Sequence, residues 1–501
     1  MREILKEYAK ETKIVGFILF FKLLIIALVP LTGDEAYFIK WATHLSSGYY
    51  DHPPMVGWLI YLMSFINESH IFFRLFSFFS ALIVAFSIVK IAELYIEKKK
   101  AIFLGLLFLA SPVDILMSLF TNDIPLVLFG TLGTQFLLYS LHKEATIKYA
   151  ILAGVFLGGA FLSKYFSAFL LISLLVFVFS VYRTRAIKSV LITASIIFLA
   201  IAQNLYFNYN CCWNNIMFNF FARTESEYNF ETFSNFLLNF TYVVTPWALY
   251  FLYKSKKNFV NNELFKLLVL ILGLMFGIFF LVSLKNLMGI HWFVLFIPYI
   301  FLLFSFLDDK YLQKLFKYNS IFTYVHIALI LGLLMALKVT PYSYLSKSYF
   351  YPDVILSAES ESVCRQLDKY EDKELFALGY TNASLLSYFC KKDVNMLFND
   401  SVFGRFDDKL IDLRELNQKD LYLFDNREIT QRNVGDVCKA FSVESFNIEN
   451  TPFYTAKCIG FDYEKYKKEH LHLQRERFYE IPEWLPVGKC YFNDRYFKEQ
   501  E

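Results

Sequence analysis

Apolar residues in this chain come in runs. Stretches of close to 20 residues with little charge recur between short polar gaps from residue 14 to residue 338. That pattern marks helices that cross a membrane. Eleven spans are predicted, at about 14–31, 70–96, 101–120, 124–141, 147–163, 166–182, 187–206, 236–253, 264–283, 290–307 and 319–338. Past residue 340 the pattern changes. "PYSYLSKSYFYPD" (341–353) is a Pro- and Tyr-rich exit, and 354–501 mixes charged and apolar positions as a soluble domain does. Within it "ELFALGY" and "DLYLFDN" read as buried strands ending in turns, and "ESESVCRQLDKY" and "NASLLSYFC" as helices. The expected fold class is an α-helical polytopic membrane protein, residues 1–340 with a first outer loop at 32–69, followed by a small α/β domain at 341–501.

Charge gives the spans a direction. One set of gaps carries Arg2, Lys6, Lys10 and Lys13; Lys98, Lys99 and Lys100; Lys143; Arg183 and Arg185; Lys254, Lys256 and Lys257; and Lys310, Lys314 and Lys317. The alternate gaps hold Lys40, Lys164, Arg223 and Lys285, one in each of four. The rich side is cytoplasmic by the positive-inside rule. The loop 32–69 and the C-terminal domain therefore face outward. Each of the four outer cations alone could be a solvated or snorkelling side chain. Together they raise an anionic ligand, of which a lipid phosphate or diphosphate is the obvious one at that depth.

Composition adds little to this. The chain is 56% hydrophobic, and its net charge of +3 is too small to argue for nucleic acid. Met1 to Lys13 is charged, and Ile14 to Leu31 lacks a small-residue cleavage pattern, so that run is expected as a retained span. All seven cysteines fall on the outer side, where disulfides form. Five lie in the tail, so at least one is free or pairs outside it. Cys364–Cys390 and Cys438–Cys458 are the pairings considered.

The chemistry gathers in the outer gaps. "TGDEAYFIKWATHLSSGYYDHPPM" (32–55) places Tyr37, Trp41 and Leu45 on one helical face. It reads as a helix lying in the membrane interface, ended by Gly48, with Asp34 at its N-cap beside Glu35. Tyr49, Tyr50, Asp51 and His52 follow in a loop that Pro53 and Pro54 stiffen. A carboxylate and an imidazole held in that way could bind a divalent metal or position a phosphate, or could simply be surface groups on a rigid turn. Asp123, in "SLFTNDIPLVLF", returns to the outer face, again at a helix-capping position. "FLSKYFSAF" carries Lys164, and "NLYFNYNCCWNNIMFNFFAR" is an aromatic, Asn-rich segment ending in Arg223. Such a surface suits sugars and headgroups, and suits a plain interfacial belt equally. Lys285 lies in "SLKNLMGIHWFVLFIPY".

"DEAYFIKWATHLSSGYYDHPP", then "TNDIP", "LSKY" and the Asn/Trp-rich segment ending in Arg, resemble the bacterial GT-C glycosyltransferases over about residues 30–300. The group is that of the lipid A aminoarabinose transferases and the protein-mannosyltransferase-like enzymes. The resemblance implies a GT-C membrane enzyme of the bacterial inner membrane. Such an enzyme moves a sugar from a polyprenyl (undecaprenyl) phosphate donor to an envelope acceptor, such as lipid A, lipopolysaccharide or protein, on the periplasmic face with inversion. It maps the family's key carboxylate onto Asp34, a second one onto Asp123, and an arginine onto Arg223. Where the aminoarabinose transferases read Tyr–Phe–Glu–Lys–Pro, this chain has Asp51 and His52 before proline, so a histidine replaces a lysine that helps hold phosphate. Asp51 and His52 are the positions for a divalent metal. On this reading Asp34 and Asp123 are catalytic, and His52, Lys164 and Arg223 bind the donor phosphate. Glu35, Tyr49, Tyr50 and Lys285 contact substrate.

A lipid phosphate is already a good leaving group, so positive charge matters more than a general acid. A hydroxyl acceptor would use Asp34 as base; a phosphate acceptor would not need one. A transporter or flippase for lipid-linked sugars is the alternative and would use charges at mid-membrane, where Lys22 is the clear candidate in the first span. A plain membrane anchor for the tail would leave the outer-face residues unexplained.

Overall fold

The computed structural model describes residues 7–143, 146–222, 229–339 and 348–498. It divides into two compact units. The first comprises Met1–Val29, Asn67–Gln203 and Ser226–Leu334; the second comprises Pro30–Ile66, Asn204–Glu225 and Met335–Glu501.

The first unit is helical. It contains α1 (Ala9–Leu28), α3 (His70–Ala92), α4 (Asp123–His142) and α5 (Thr146–Ser163), with α2 (Gly33–Thr43) belonging to the second unit. Among the described residues, six helices are long and apolar enough to cross a membrane, or up to eight if each of two bent pairs is one span. The expected span 101–120 is broken. Lys98–Leu109 stops at Ala110, and a separate short helix, Pro112–Leu116, starts with the proline that cannot continue an upstream hydrogen-bond ladder. A second break divides Phe230–Val244 from Pro246–Lys254, bent by 70° where Thr245 takes a φ of 72° before Pro246. The predicted sixth and seventh spans run on as Ser167–Tyr209 through a 3₁₀ turn at Arg183–Ala186.

Two charges lie in the interior of this unit. Lys22 donates to Asp114 Oδ1 at 2.6 Å, both fully buried. Arg74 donates to the carbonyls of Ile26 (3.0 Å) and Val29 (2.6 Å), satisfying acceptors that the end of α1 leaves open.

The second unit is built on a five-stranded sheet in the order β2-β1-β3-β5-β4. The strands are β1 (Glu374–Ala377), β2 (Asn395–Met396), β3 (Leu421–Asp425), β4 (Cys438–Ile448) and β5 (Thr451–Phe461). β1 runs parallel to β2 and β3, and β5 is antiparallel to β3 and β4. Glu449 and Asn450 both take positive φ in the two-residue turn from β4 to β5, the backbone that matches a twisted hairpin. The predicted strands in "ELFALGY" and "DLYLFDN" are β1 and β3. The predicted helices are Ser360–Leu367 and α6 (Tyr380–Phe389). Side chains from Val363, Leu367, Leu375, Ala377, Leu385, Leu386, Phe424 and Phe453 form the core, joined by Leu31 and Ala36 from the far end of the chain.

That last contact changes the reading of α2. Tyr37 and Trp41 are buried inside the unit, with Tyr37 against Tyr380 at 5.3 Å and Trp41 stacked on Tyr49 at 4.2 Å. Its aromatic face is thus covered by protein, and the helix stops at Thr43, well before Gly48. Disulfides join Cys364–Cys390 and Cys438–Cys458 inside the tail, while Cys490 pairs with Cys212 outside it and Cys211 is free.

Candidate active site

The second unit holds Asp34 and the loop after α2. Thr32 is the N-cap of α2, not Asp34: its Oγ1 accepts from the Glu35 N–H at 3.4 Å, and Glu35 Oε2 accepts from the Thr32 N–H at 3.3 Å and from its hydroxyl at 3.0 Å. This capping box engages Glu35, which is buried, and releases Asp34 from capping. Asp34 is exposed in the first turn, where the helix dipole favours negative charge. The Tyr380 hydroxyl donates to Asp34 Oδ1 at 2.8 Å. Among the described residues no hydrogen bond reaches Asp34 Oδ2.

The loop 48–54 is held by its carbonyls. The Tyr49 N–H donates to the His52 carbonyl at 3.1 Å, closing a turn. Asn215 Nδ2 donates to the carbonyls of Tyr49, Tyr50 (3.0 Å) and His52 (3.4 Å), and Asn219 Nδ2 to that of Asp51 (3.2 Å). Asn215 is in turn tied to Asn204 and Asn208: its Oδ1 accepts from Asn204 Nδ2 at 3.2 Å, and its N–H donates to Asn208 Oδ1 at 3.1 Å. Asn204, Asn208 and Asn215 are buried. The Asn-rich segment, for which a sugar or headgroup surface and a plain interfacial belt are equally open from the sequence, forms an amide ladder that shapes the loop.

Tyr49 and Tyr50 are fully buried. The Tyr49 hydroxyl donates to the Trp41 carbonyl at 2.8 Å, and Tyr50 packs on Phe218 at 5.8 Å and Tyr479 at 6.3 Å. Both rings anchor the loop from inside. Asp51 is buried and His52 half-buried, with its ring 6.3 Å from those of Trp41 and Phe218. The negative fields of Asp34 and Asp51 both act on the Tyr380 phenol. Burial first and then Asp34 raise that phenol far above its ordinary range. Asp34, Asp51 and Tyr380 thus share one neighbourhood. The described residues contain no group of three or more His, Cys, Asp or Glu side chains that could hold a metal. Among those residues Asp51 and His52 belong to no such group.

Lys40 was one of the four outer cations. Its ammonium donates to Asp407 Oδ2 (2.8 Å), the Val394 carbonyl (2.9 Å) and Asn395 Oδ1 (2.9 Å), which uses all three hydrogens. Asp407 Oδ2 also accepts from the Met396 N–H at 2.9 Å. Lys40 is neutralised inside the second unit and does not await an anionic ligand.

The first unit holds Asp123 and Lys164. Asn122 is the N-cap of α4 and Asp123 its first residue, again one place beyond the expected cap. Lys164 closes α5 and donates to Asp123 Oδ1 at 2.8 Å, with both side chains only 8% exposed. Among the described residues Asp123 is the single hydrogen-bond partner of that ammonium. Lys285 is half-buried in the turn after Glu263–Ser283. Arg223 lies outside the described residues. Sequence reasoning missed Tyr380, Asp407 and the role of Asn215, whose partners lie 346, 367 and about 165 positions away in the chain.

Comparison with known proteins bears on the fold. The sequence profile described as "Dolichyl-phosphate-mannose-protein mannosyltransferase" matches residues 51–207. The lipid A galacturonosyltransferase RgtD of Rhizobium johnstonii is 25% identical over 178 residues, 35% of this chain; the match spans 38% of that relative's length. The structure of ArnT from Cupriavidus metallidurans in the apo state superposes with a TM-score of 0.62 at 13% identity, covering 90% of this chain and 98% of that one. The same protein bound to undecaprenyl phosphate gives 0.61 at 15% identity, covering 89% and 97%. At such identities the likeness is one of fold, and the fold is GT-C. The chain thus has a GT-C fold, and parts of its sequence are similar to a lipid A galacturonosyltransferase and to the protein-mannosyltransferase profile.

Proposed function

We propose that the protein is an integral membrane glycosyltransferase that moves a sugar from an undecaprenyl-phosphate-type donor to an envelope acceptor, with inversion. The observation that carries this reading is the Asp34 carboxylate. It is exposed, one oxygen is held by Tyr380, and among the described residues no hydrogen bond reaches the other. The adjacent Glu35 is committed to helix capping and the nearby Asp407 to Lys40. The donor class is supported by the ArnT fold, seen with undecaprenyl phosphate in that relative. Lipid A or a lipopolysaccharide sugar is the favoured acceptor, after the name of the curated relative; a protein is the other. The eleven-span topology, with Asp34 on the periplasmic face of the inner membrane, belongs to the same proposal.

In the reaction an acceptor hydroxyl attacks the anomeric carbon, and the bond from that carbon to the phosphate oxygen breaks. The polyprenyl phosphate leaves with the electron pair, and Asp34 Oδ2 takes the hydroxyl proton. Direct displacement inverts the anomeric centre. The leaving phosphate needs positive charge. Lys164 is proposed for that task on the sequence resemblance alone; within the first unit Asp123 Oδ1 accepts from its ammonium. Arg223 and His52 are further candidates for the phosphate. Asp51 orients groups beside Asp34, and Lys285 remains a candidate substrate contact.

The flippase alternative would use charge in the membrane interior. Lys22 and Asp114 supply such a pair, but each already neutralises the other at 2.6 Å. The test is mass spectrometry of envelope lipids and glycans from cells lacking the gene, complemented with wild type or Asp34→Asn. We expect one defined sugar to disappear on deletion, return with wild type, and stay absent with Asp34→Asn. A polyprenyl-linked sugar accumulating with no lost product would support the flippase instead.

A further inference from the structure

The contact between Asp34 and the C-terminal domain is built more closely than a chance surface hydrogen bond. Tyr380 is the first residue of α6, just after Gly379 at the N-cap, so its position is set by the start of a helix. Gly33, at the start of α2, lets the two helix ends meet: a Cβ there would lie 2.3 Å from Thr381 Cγ2. Gly404 also comes close to Tyr380. Its φ is +79°, and a Cβ would lie 2.5 Å from the Tyr380 Cβ. Tyr37 meets the Tyr380 ring edge-on at 5.3 Å, and Phe403 lies at 6.0 Å. Two glycines and two aromatic rings thus fix the direction of one phenol. Burial and the Asp34 charge keep that phenol protonated at any physiological pH, so it is always a donor.

From this geometry we infer that Tyr380 is a positioning residue for the proposed base. Its hydroxyl holds Asp34 by Oδ1 at 2.8 Å and leaves Oδ2 to take the acceptor proton, which makes the C-terminal domain a direct contributor to the reaction. The inference rests on Asp34 acting as base. An acidic side chain in a first helical turn has several rotamers, and an exposed one samples them unless something restrains it. Proton transfer depends on heavy-atom separations of about 2.6–3.2 Å. A misplacement of about 1 Å can cost on the order of a hundredfold in rate. A single fixed donor on one carboxylate oxygen provides the restraint.

The test compares full-length wild type with Tyr380→Phe, Tyr380→Ala and Asp34→Asn. In deletion cells each is induced, and the sugar missing from the deletion strain is followed by mass spectrometry as a rate per molecule of protein. Purified proteins are assayed for undecaprenyl phosphate binding and thermal unfolding. Tyr380→Phe keeps the ring and removes the donor. Its transfer rate is expected to fall about tenfold, with undecaprenyl phosphate affinity and unfolding midpoint as in wild type. Tyr380→Ala also removes packing, and its midpoint should fall too, which calibrates a purely structural loss. An unchanged rate in Tyr380→Phe, or a rate that falls only in step with the midpoint, overturns the inference. If Asp34→Asn still transfers, the base assignment itself fails, and Tyr380 with it. If Asp34→Asn is silent while Tyr380→Phe is fully active, only the role of Tyr380 fails.

Discussion

Lys40→Met tests whether an outer cation is structural or waits for a ligand. Methionine has a similar length and no charge. The substitution removes three hydrogen bonds and leaves the carboxylate of Asp407, only 2% exposed, with the Met396 N–H as its donor among the described residues. Removing one partner of a buried ion pair costs about 3–5 kcal/mol, chiefly because the other charge is stranded. In a unit of this size 1 kcal/mol moves the unfolding midpoint by roughly 2–4 °C, so a drop of roughly 6–20 °C is expected. The double change Lys40→Met with Asp407→Asn removes both charges and keeps an acceptor for the Met396 N–H. It should recover most of the loss. Thermal unfolding of the purified full-length protein in detergent gives the midpoint, and undecaprenyl phosphate binding is measured on the same samples. A Lys40→Met protein that unfolds like wild type but no longer binds undecaprenyl phosphate would refute the reasoning and restore Lys40 as a ligand cation.

Two further outcomes follow from other contacts. Asn215→Leu removes the donor shared by the carbonyls of Tyr49, Tyr50 and His52; hydrogen exchange at Tyr49 to His52 should quicken by about tenfold or more, and unchanged exchange would mean that the prolines alone hold the loop. In the tail, burial pushes the Asp425 carboxyl up to about 6, against the opposing Arg427 N–H and charge. The folded state then binds that proton more tightly than the unfolded chain, whose ordinary value is 3.8. Its stabilising contribution is present below about pH 4 and lost as pH rises through about 6. Asp425→Asn keeps an acceptor for the Arg427 N–H, now at 2.8 Å. It should raise stability at pH 7.5 by roughly 1–2 kcal/mol, after discounting for partial exposure, and flatten the pH 4–6 slope; an unchanged pH profile of thermal unfolding would contradict this.

Local pattern made much of the fold legible. Apolar runs marked most of the long helices, and short β-rich segments marked β1 and β3. The odd number of tail cysteines leaves one either free or paired outside the tail, and Cys490 takes the second course with Cys212. Side-chain roles were less legible, for a physical reason. Lys40 looked unpaired because a charge count along the chain sees only neighbours, while Asp407 lies 367 positions away. Tyr37 and Trp41 share a helical face, but periodicity cannot tell a face covered by lipid from one covered by protein. Asp34 and Asp123 each stand where an Asp could be read as a cap as well as a catalytic group, and Thr32 and Asn122 hold the cap positions. The asparagines of 204–219 read as a surface since amides are usually wet; only their mutual hydrogen bonds reveal a buried ladder.

The discontinuous second unit bears on how proteins of this plan can be recombined. A single crossover near residue 341 would import a foreign tail and separate three matched pairs. Lys40 would lose Asp407, Asp34 would lose Tyr380, and Cys212 would lose Cys490. A functional chimera must carry 30–66, 204–225 and 335–501 from the same parent. Whatever the tail contributes to acceptor choice is therefore inherited together with the first outer loop, and the two are expected to diversify as one block rather than as exchangeable modules.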